Sequence, residues 1–101
     1  MDTLTVNIPR DEIREFCERH HIRKLSLFGS VLTDHFRPDS DIDVLVEFEP
    51  GSKVSLFDVA GMELELTERL NRKVDLRTAG DLSRYFRAKV VAGAVTQYER
   101  A

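Results

Sequence analysis

The chain has 101 residues, of which 42% are apolar and 33% are charged, and its formal net charge is −3. This length supports one domain with a modest core, so we expect a single domain over residues 1–101. The negative charge excludes a general nucleic-acid binder, the single cysteine excludes an internal disulfide, and no apolar run approaches the roughly 20 residues of a membrane span. With no segment typical of a signal peptide, the expected location is the cytoplasm.

The first predicted elements are a helix and a strand. Pro9, Asp11 and Glu12 are typical of a helix start, because proline suits the first turn and acids suit its positive end. A strand follows over residues 24–28 and ends at Gly29, and residues 31–36 form a short helix or turn. The apolar stripe expected on the first helix consists of Ile13, Phe16, Cys17 and Ile22.

The second half of the chain continues the alternation. A loop at residues 37–40 leads to a strand over 41–48, and Ser55 with Asp58 resembles a capping box at the start of a helix that runs to about residue 71. The core positions expected on this helix are Leu56, Val59, Ala60, Leu64 and Leu70.

A third strand is predicted over 73–78, followed by a last helix capped by Asp81. The core positions expected on the last helix are Leu82, Phe86, Val90, Ala94 and Tyr98. The order α-β-(α)-β-α-β-α predicts an α/β (α+β) fold, with a mixed three-stranded sheet flanked by helices.

Acidic residues occur inside two of these strands. Side chains alternate across a strand, so Asp41 and Asp43 share one face, about 7 Å apart. The Gly29 turn can meet Asp41 only if the first two strands are antiparallel. The helical crossover to the third strand favours a parallel pair, which brings Asp75 to the same edge. The topology therefore predicts three converging carboxylates.

This combination points to nucleotide chemistry. Carboxylate oxygens suit Mg²⁺, which keeps positions open for water and substrate phosphates. A Gly29-Ser30 turn brings backbone N–H groups close to a phosphate, with no side chain at the glycine to block it. Together they predict metal-dependent phosphoryl or nucleotidyl transfer from a nucleoside triphosphate.

The motif Leu27-Phe28-Gly29-Ser30, followed by residues 37–43 (RPDSDID), resembles the signature of the minimal nucleotidyltransferases, in the DNA polymerase β-like superfamily. The resemblance implies two Mg²⁺ ions held by Asp41 and Asp43, with Asp75 completing the metal site and helping to activate an acceptor hydroxyl. Residues 31–34 (VLTD) replace the basic residue and Ala-Arg-Gly turn of many members. The contacts implied for the ATP substrate are Gly29, Ser30, Arg37 and Ser40.

The resemblance also implies a partner. Proteins of this size in the family often serve as antitoxins of HEPN-domain toxins and transfer AMP from ATP to a toxin tyrosine. We expect a hetero-oligomer with the toxin or a homo-oligomer, and the net negative charge predicts no direct nucleic-acid contact.

Several other functions stay open. The chain could be a non-catalytic antitoxin that blocks a partner sterically, or a small-molecule nucleotidyltransferase. The acids could also be solvated charges at strand ends. A calcium loop starting at Asp39 lacks the glycine and the bidentate glutamate that such loops require.

Overall fold

The structure, a computed structural model, describes residues 9–32 and 40–100, with Ser30 described by its backbone alone. The helices are α1 (Arg10–Arg19), α2 (Leu56–Leu70) and α3 (Arg87–Gly93), and two short 3₁₀ helices are η1 (Gly29–Leu32) and η2 (Ala79–Asp81). The strands are β1 (Ile22–Phe28), β2 (Ile42–Phe48), β3 (Val74–Thr78) and β4 (Val95–Glu99). No helix among the described residues is long and apolar enough to cross a membrane.

The strands form one mixed sheet in the order β3-β2-β1-β4. The pair β1–β2 is antiparallel and the pair β2–β3 is parallel, as the sequence predicts. The fold class is therefore confirmed, with one strand more than expected, because β4 pairs antiparallel with the other side of β1.

Local sequence signals explain how the helices begin. Pro9 is the N-cap of α1, and its carbonyl accepts from the N–H of Ile13 at 3.0 Å. The capping box predicted for α2 is confirmed: Ser55 Oγ accepts from the N–H of Asp58 at 3.1 Å, and the Asp58 carboxylate accepts from the N–H of Ser55 at 2.9 Å. The capping box satisfies N–H groups that the first turn of α2 leaves unpaired, whereas Pro9 makes no side-chain cap at the start of α1.

Helices α1 and α2 pack against one face of the sheet and form the core with it. Ile13, Phe16 and Cys17 come from α1, while Met62 and Leu66 come from α2. The buried side chains of the strands are Ile22, Leu25, Leu27, Ile42, Val44, Val46, Val74 and Leu76. The acidic positions of β2 and β3 therefore belong to the other face, away from these two helices.

Three predicted core positions on α2 are wrong. Leu56 is 87% exposed and Leu64 is 67% exposed, and Ala60 is also exposed. The buried face instead contains Met62 and Leu66, with Val59 and Leu70 partly buried beside them. The helix carries apolar residues on more than one side, so its sequence does not define which side meets the sheet.

The predicted last helix is also wrong in extent. Asp81 accepts a hydrogen bond from the N–H of Thr78 at 3.0 Å and so completes a capping box at the start of η2, rather than capping α3. Helix α3 ends at Gly93, and Tyr98 lies on β4. The β-branched residues at the start of β4 favour a strand once the free edge of β1 is available.

Two smaller differences concern the first half of the chain. Ile22 starts β1 and is not part of α1. Of the helix or turn expected at 31–36, the first two residues belong to η1, and the rest lies outside the described residues.

Candidate active site

The first part of the site is the turn between β1 and η1. Phe28 is the last residue of β1 and pairs with Asp43 of β2. Gly29 follows with φ +79°, a left-handed conformation that glycine adopts without strain. A Cβ at Gly29 would collide with the Asp43 carboxylate oxygen Oδ2. Glycine therefore suits the turn and leaves the Asp43 carboxylate in its place, which any larger residue would displace.

The second part is the parallel pair β2–β3. Asp43 and Asp75 are partners in the register, on neighbouring strands about 4.8 Å apart. They share the sheet face that α1 and α2 leave open. The long-range convergence of Asp43 with Asp75 is thus observed.

Helix α2 holds the outer edge of β3 in place. Thr67 Oγ1 accepts from the N–H of Val74 at 3.1 Å, and Glu63 Oε2 accepts from the N–H of Leu76 at 2.8 Å. Val74 and Leu76, whose N–H groups are bound in this way, flank Asp75 in sequence. Since an edge strand otherwise leaves such N–H groups unpaired, the two side chains position the strand that carries Asp75.

The carboxylates of the site affect one another. Burial raises the pKa of Asp43, and the nearby charges of Asp75 and Asp41 raise it further, while Arg77 acts in the opposite direction. A cation placed among these groups would relieve the repulsion.

Two basic residues of the same chain already face the acids. Lys73 Nζ lies 3.9 Å from Asp41 Oδ2. Arg77 forms a two-pronged pair with Asp75, with Nε 3.1 Å from Oδ1 and one terminal nitrogen 3.2 Å from Oδ2. The alternation of residues 73–78 indicates that Arg77 shares a face with Asp75, but sequence reasoning missed that the two side chains pair.

The site suits a hard divalent cation in its donor chemistry and in the space that Gly29 leaves beside Asp43. The side chains are not yet arranged as a complete metal site, because no group of three possible ligands comes together among the described residues. The Asp75 carboxylate is paired instead with the guanidinium of Arg77.

The remaining predicted residues differ in what the structure describes. Ser40 is half-buried before β2, and its carbonyl accepts from Arg72 at 3.4 Å. Ser30 follows Gly29 in η1. Arg37 lies outside the described residues.

The open face of the sheet continues past the acids into a cavity of about 360 Å³. Its floor includes Leu45, two residues beyond Asp43, and Ser26, which pairs with Leu45. Val91, within α3, and Ala94, the residue after its end, line it from one side. The cavity therefore lies on the acidic face of the sheet, farther along β2 than Asp43.

Known relatives share part of the sequence. A protein of Methanocaldococcus jannaschii, provisionally named a protein adenylyltransferase, is 30% identical over 91% of this chain and 97% of its own length. The protein adenylyltransferase MntA of Thermococcus cleftensis is 36% identical over 62% of each chain.

Solved structures show the same fold. One described as a minimal nucleotidyltransferase superimposes with a TM-score of 0.71 at 35% identity, over 85% of this chain and 86% of the other. A toxin–antitoxin structure with AMP-PNP gives a TM-score of 0.73 at 19% identity, over 91% and 74% of the two chains.

The sequence also matches the nucleotidyltransferase domain family over residues 10–96, which includes Gly29 and all three acids. The prediction that the protein is an enzyme of this class is confirmed, and the chain belongs to the nucleotidyltransferase domain family as a minimal nucleotidyltransferase.

Proposed function

We propose that this protein transfers AMP from ATP to a hydroxyl group, that of a tyrosine, on a helical HEPN-domain toxin, and that it acts as the antitoxin of that toxin. The observation that carries the proposal is the pairing of Asp43 with Asp75 beside the Gly29 turn. This arrangement offers metal-binding carboxylates next to a backbone turn that a triphosphate can approach.

In this mechanism Asp41 and Asp43 would hold Mg²⁺, with Asp75 as a further ligand. When bound, the metal supplies charge neutralisation for the phosphates and lowers the pKa of a coordinated hydroxyl. Backbone N–H groups at Gly29 and Ser30 would bind the triphosphate, with Arg37 and Ser40 as further contacts.

The transfer step is an in-line displacement at the α-phosphorus. The acceptor oxygen forms a bond to phosphorus while the bond to the pyrophosphate oxygen breaks, and pyrophosphate leaves with that electron pair. Asp75 lies on the strand next to Asp43, so it can orient the attacking hydroxyl and accept its proton.

The relatives support a protein as the acceptor. Two of them bear the name protein adenylyltransferase. A structure with the same fold, at 20% identity and a TM-score of 0.65, is a complex of an AMPylated Shewanella oneidensis HEPN toxin with its MNT antitoxin. A comparable partner for this chain is the simplest extension of these findings.

Co-expression with a HEPN-type partner encoded beside this chain tests the proposal. We expect intact-mass spectrometry to detect added AMP on the partner, and loss of that modification with Asp43→Asn. A partner that is inhibited but never modified would favour a steric antitoxin. Modification of small molecules alone would instead favour a small-molecule nucleotidyltransferase.

A further inference from the structure

The pair between Arg77 and Asp75 occupies the candidate metal site from within. The guanidinium meets both carboxylate oxygens of Asp75, at 3.1 and 3.2 Å. This fork geometry matches a carboxylate closely and uses both oxygens that a metal would need. A cation that binds through the same oxygens must share the Asp75 carboxylate with the guanidinium, whose positive charge opposes it.

The fold does not depend on this pair. Asp75 and Arg77 are neighbours on one strand face, and about half of the Arg77 side chain is exposed, so the pair contributes little to stability. The strand itself is held through its backbone by Thr67 and Glu63. A purely structural role therefore does not account for the position of Arg77.

The surroundings of Arg77 are acidic on several sides. Asp75 is its direct partner, Asp81 and Glu63 add to the negative field around it, and its charge also reaches Asp43. If Asp75 is drawn to a cation, the guanidinium keeps acidic neighbours. The guanidinium can therefore release Asp75 without losing every favourable contact.

We infer that Arg77 is a built-in counter-ion of the metal site: it pairs with Asp75 and competes with a divalent cation for that carboxylate. Arg77 is thus a positioning residue that acts through Asp75 and sets the affinity for the metal. The inference rests on the proposed role of the acids as metal ligands.

Binding of Mn²⁺ alone to the full chain, measured by electron paramagnetic resonance, tests the inference without any turnover. Arg77→Gln removes the competing charge, so we expect Mn²⁺ to bind about threefold to tenfold more tightly, as for loss of a partly exposed ion pair. Arg77→Lys keeps the charge but not the fork, so its affinity should lie between those of the parent and Arg77→Gln. A parent-like thermal melt checks that each variant is folded.

Two comparisons separate competition for Asp75 from a general effect of charge. Arg84→Gln removes the same charge from an exposed arginine that contacts the ring of Tyr85, and it should change affinity less than about twofold. In an Asp75→Asn background, Arg77→Gln should lose most of its effect, because the residue it competes for is no longer charged.

The outcomes also distinguish this inference from the proposed function. If Asp43→Asn leaves Mn²⁺ binding unchanged, the acids are not the metal site and both proposals fail. If binding depends on Asp43 but Arg77→Gln leaves it unchanged or weakens it, only the role of Arg77 is overturned. The role of Arg77 would also be overturned if Arg77→Gln raised the Mn²⁺ affinity as much in the Asp75→Asn background as in the parent.

Discussion

At the scale of single residues, Gly29 combines two requirements that are usually separate. Its φ of +79° favours glycine, and its missing Cβ leaves room for the Asp43 carboxylate. Gly51 has a similar φ of +84° but no atom within 4 Å of the position of a Cβ. The two glycines therefore separate backbone strain from steric displacement of the site.

We predict that Gly29→Ala and Gly51→Ala each lower the free energy of unfolding by about 1 kcal/mol, the cost of a left-handed alanine. Only Gly29→Ala should also reduce metal binding and AMP transfer, since its methyl group displaces Asp43. Urea unfolding and calorimetric titration with Mg²⁺ measure the two effects. Equal loss of metal binding in both variants would mean that strain, not space, matters.

Asp75 has a different role from the other two acids in the proposed mechanism. Asp75→Asn is nearly isosteric, so we expect nucleotide binding to survive while AMP transfer falls roughly a hundredfold or more, as for a lost acid–base group or ligand. Asp41→Asn and Asp43→Asn should weaken both binding and transfer. Equilibrium binding and single-turnover assays measure the two separately. Transfer at the parental rate in Asp75→Asn would contradict the proposed mechanism.

At the scale of elements, α2 connects the core to the site. Its buried side packs Met62 and Leu66 against the sheet, and its Glu63 and Thr67 side chains hold the backbone of β3. The opposite side exposes apolar residues, of which Phe57 is 90% exposed. Sequence periodicity does not separate the two sides, but substitutions should.

Leu66→Ala removes a fully buried side chain, and we predict that it lowers the free energy of unfolding by about 2–5 kcal/mol through lost contacts and a cavity. Leu64→Ala, two residues earlier on the same helix, should change it by less than about 0.5 kcal/mol, because Leu64 is 67% exposed. Denaturant unfolding of the two variants measures the difference. Similar losses in both would indicate that α2 packs through its other side.

At the scale of the whole molecule, a charged cluster ties α1 to α2. Glu65 of α2 lies 3.0 Å from the Nε2 atom of His20 and 3.2 Å from a terminal nitrogen of Arg69, and it accepts from Arg19. Arg69 also reaches Glu15 of α1 at 3.1 Å. The hydrogen bond from Arg19 is the main cause that lowers the pKa of Glu65 to about 2, while burial acts in the opposite direction.

The lowered pKa predicts a pH-dependent contribution to stability. Above its ordinary pKa of 4.5, Glu65 is charged in both states and the contribution is complete; it is lost as the pH falls from 4.5 toward 2. We expect Glu65→Gln to lower the free energy of unfolding by about 1–2 kcal/mol near neutral pH, allowing for solvent screening at half-exposed Arg19, with the difference closing in acid.

Urea unfolding of Glu65→Gln at several pH values measures this difference. Glu68→Gln is a matched control, because Glu68 is an exposed residue of the same helix, and it should show little change at any pH. A difference between the parent and Glu65→Gln that persists undiminished in strong acid would contradict the assignment.

Much of the site could be predicted from local sequence. The alternation around Asp41 and Asp43 indicates a strand with its acids on one face, and the Gly29-Ser30 turn indicates a site for a phosphate. The short link to a crossover helix predicts the parallel pair that brings Asp75 alongside. These inferences hold because the period of a strand and the geometry of a crossover depend on a few neighbouring residues.

The sequence by itself therefore determined the class of chemistry and the order of most elements. Only the tertiary structure decided which side of α2 is buried, that residues 95–99 pair with β1, and that Arg77 meets Asp75. Each of these depends on contacts between distant segments or on the direction of one side chain. A helix that is apolar on two sides and a segment near a free sheet edge both have two acceptable states locally, and packing selects one.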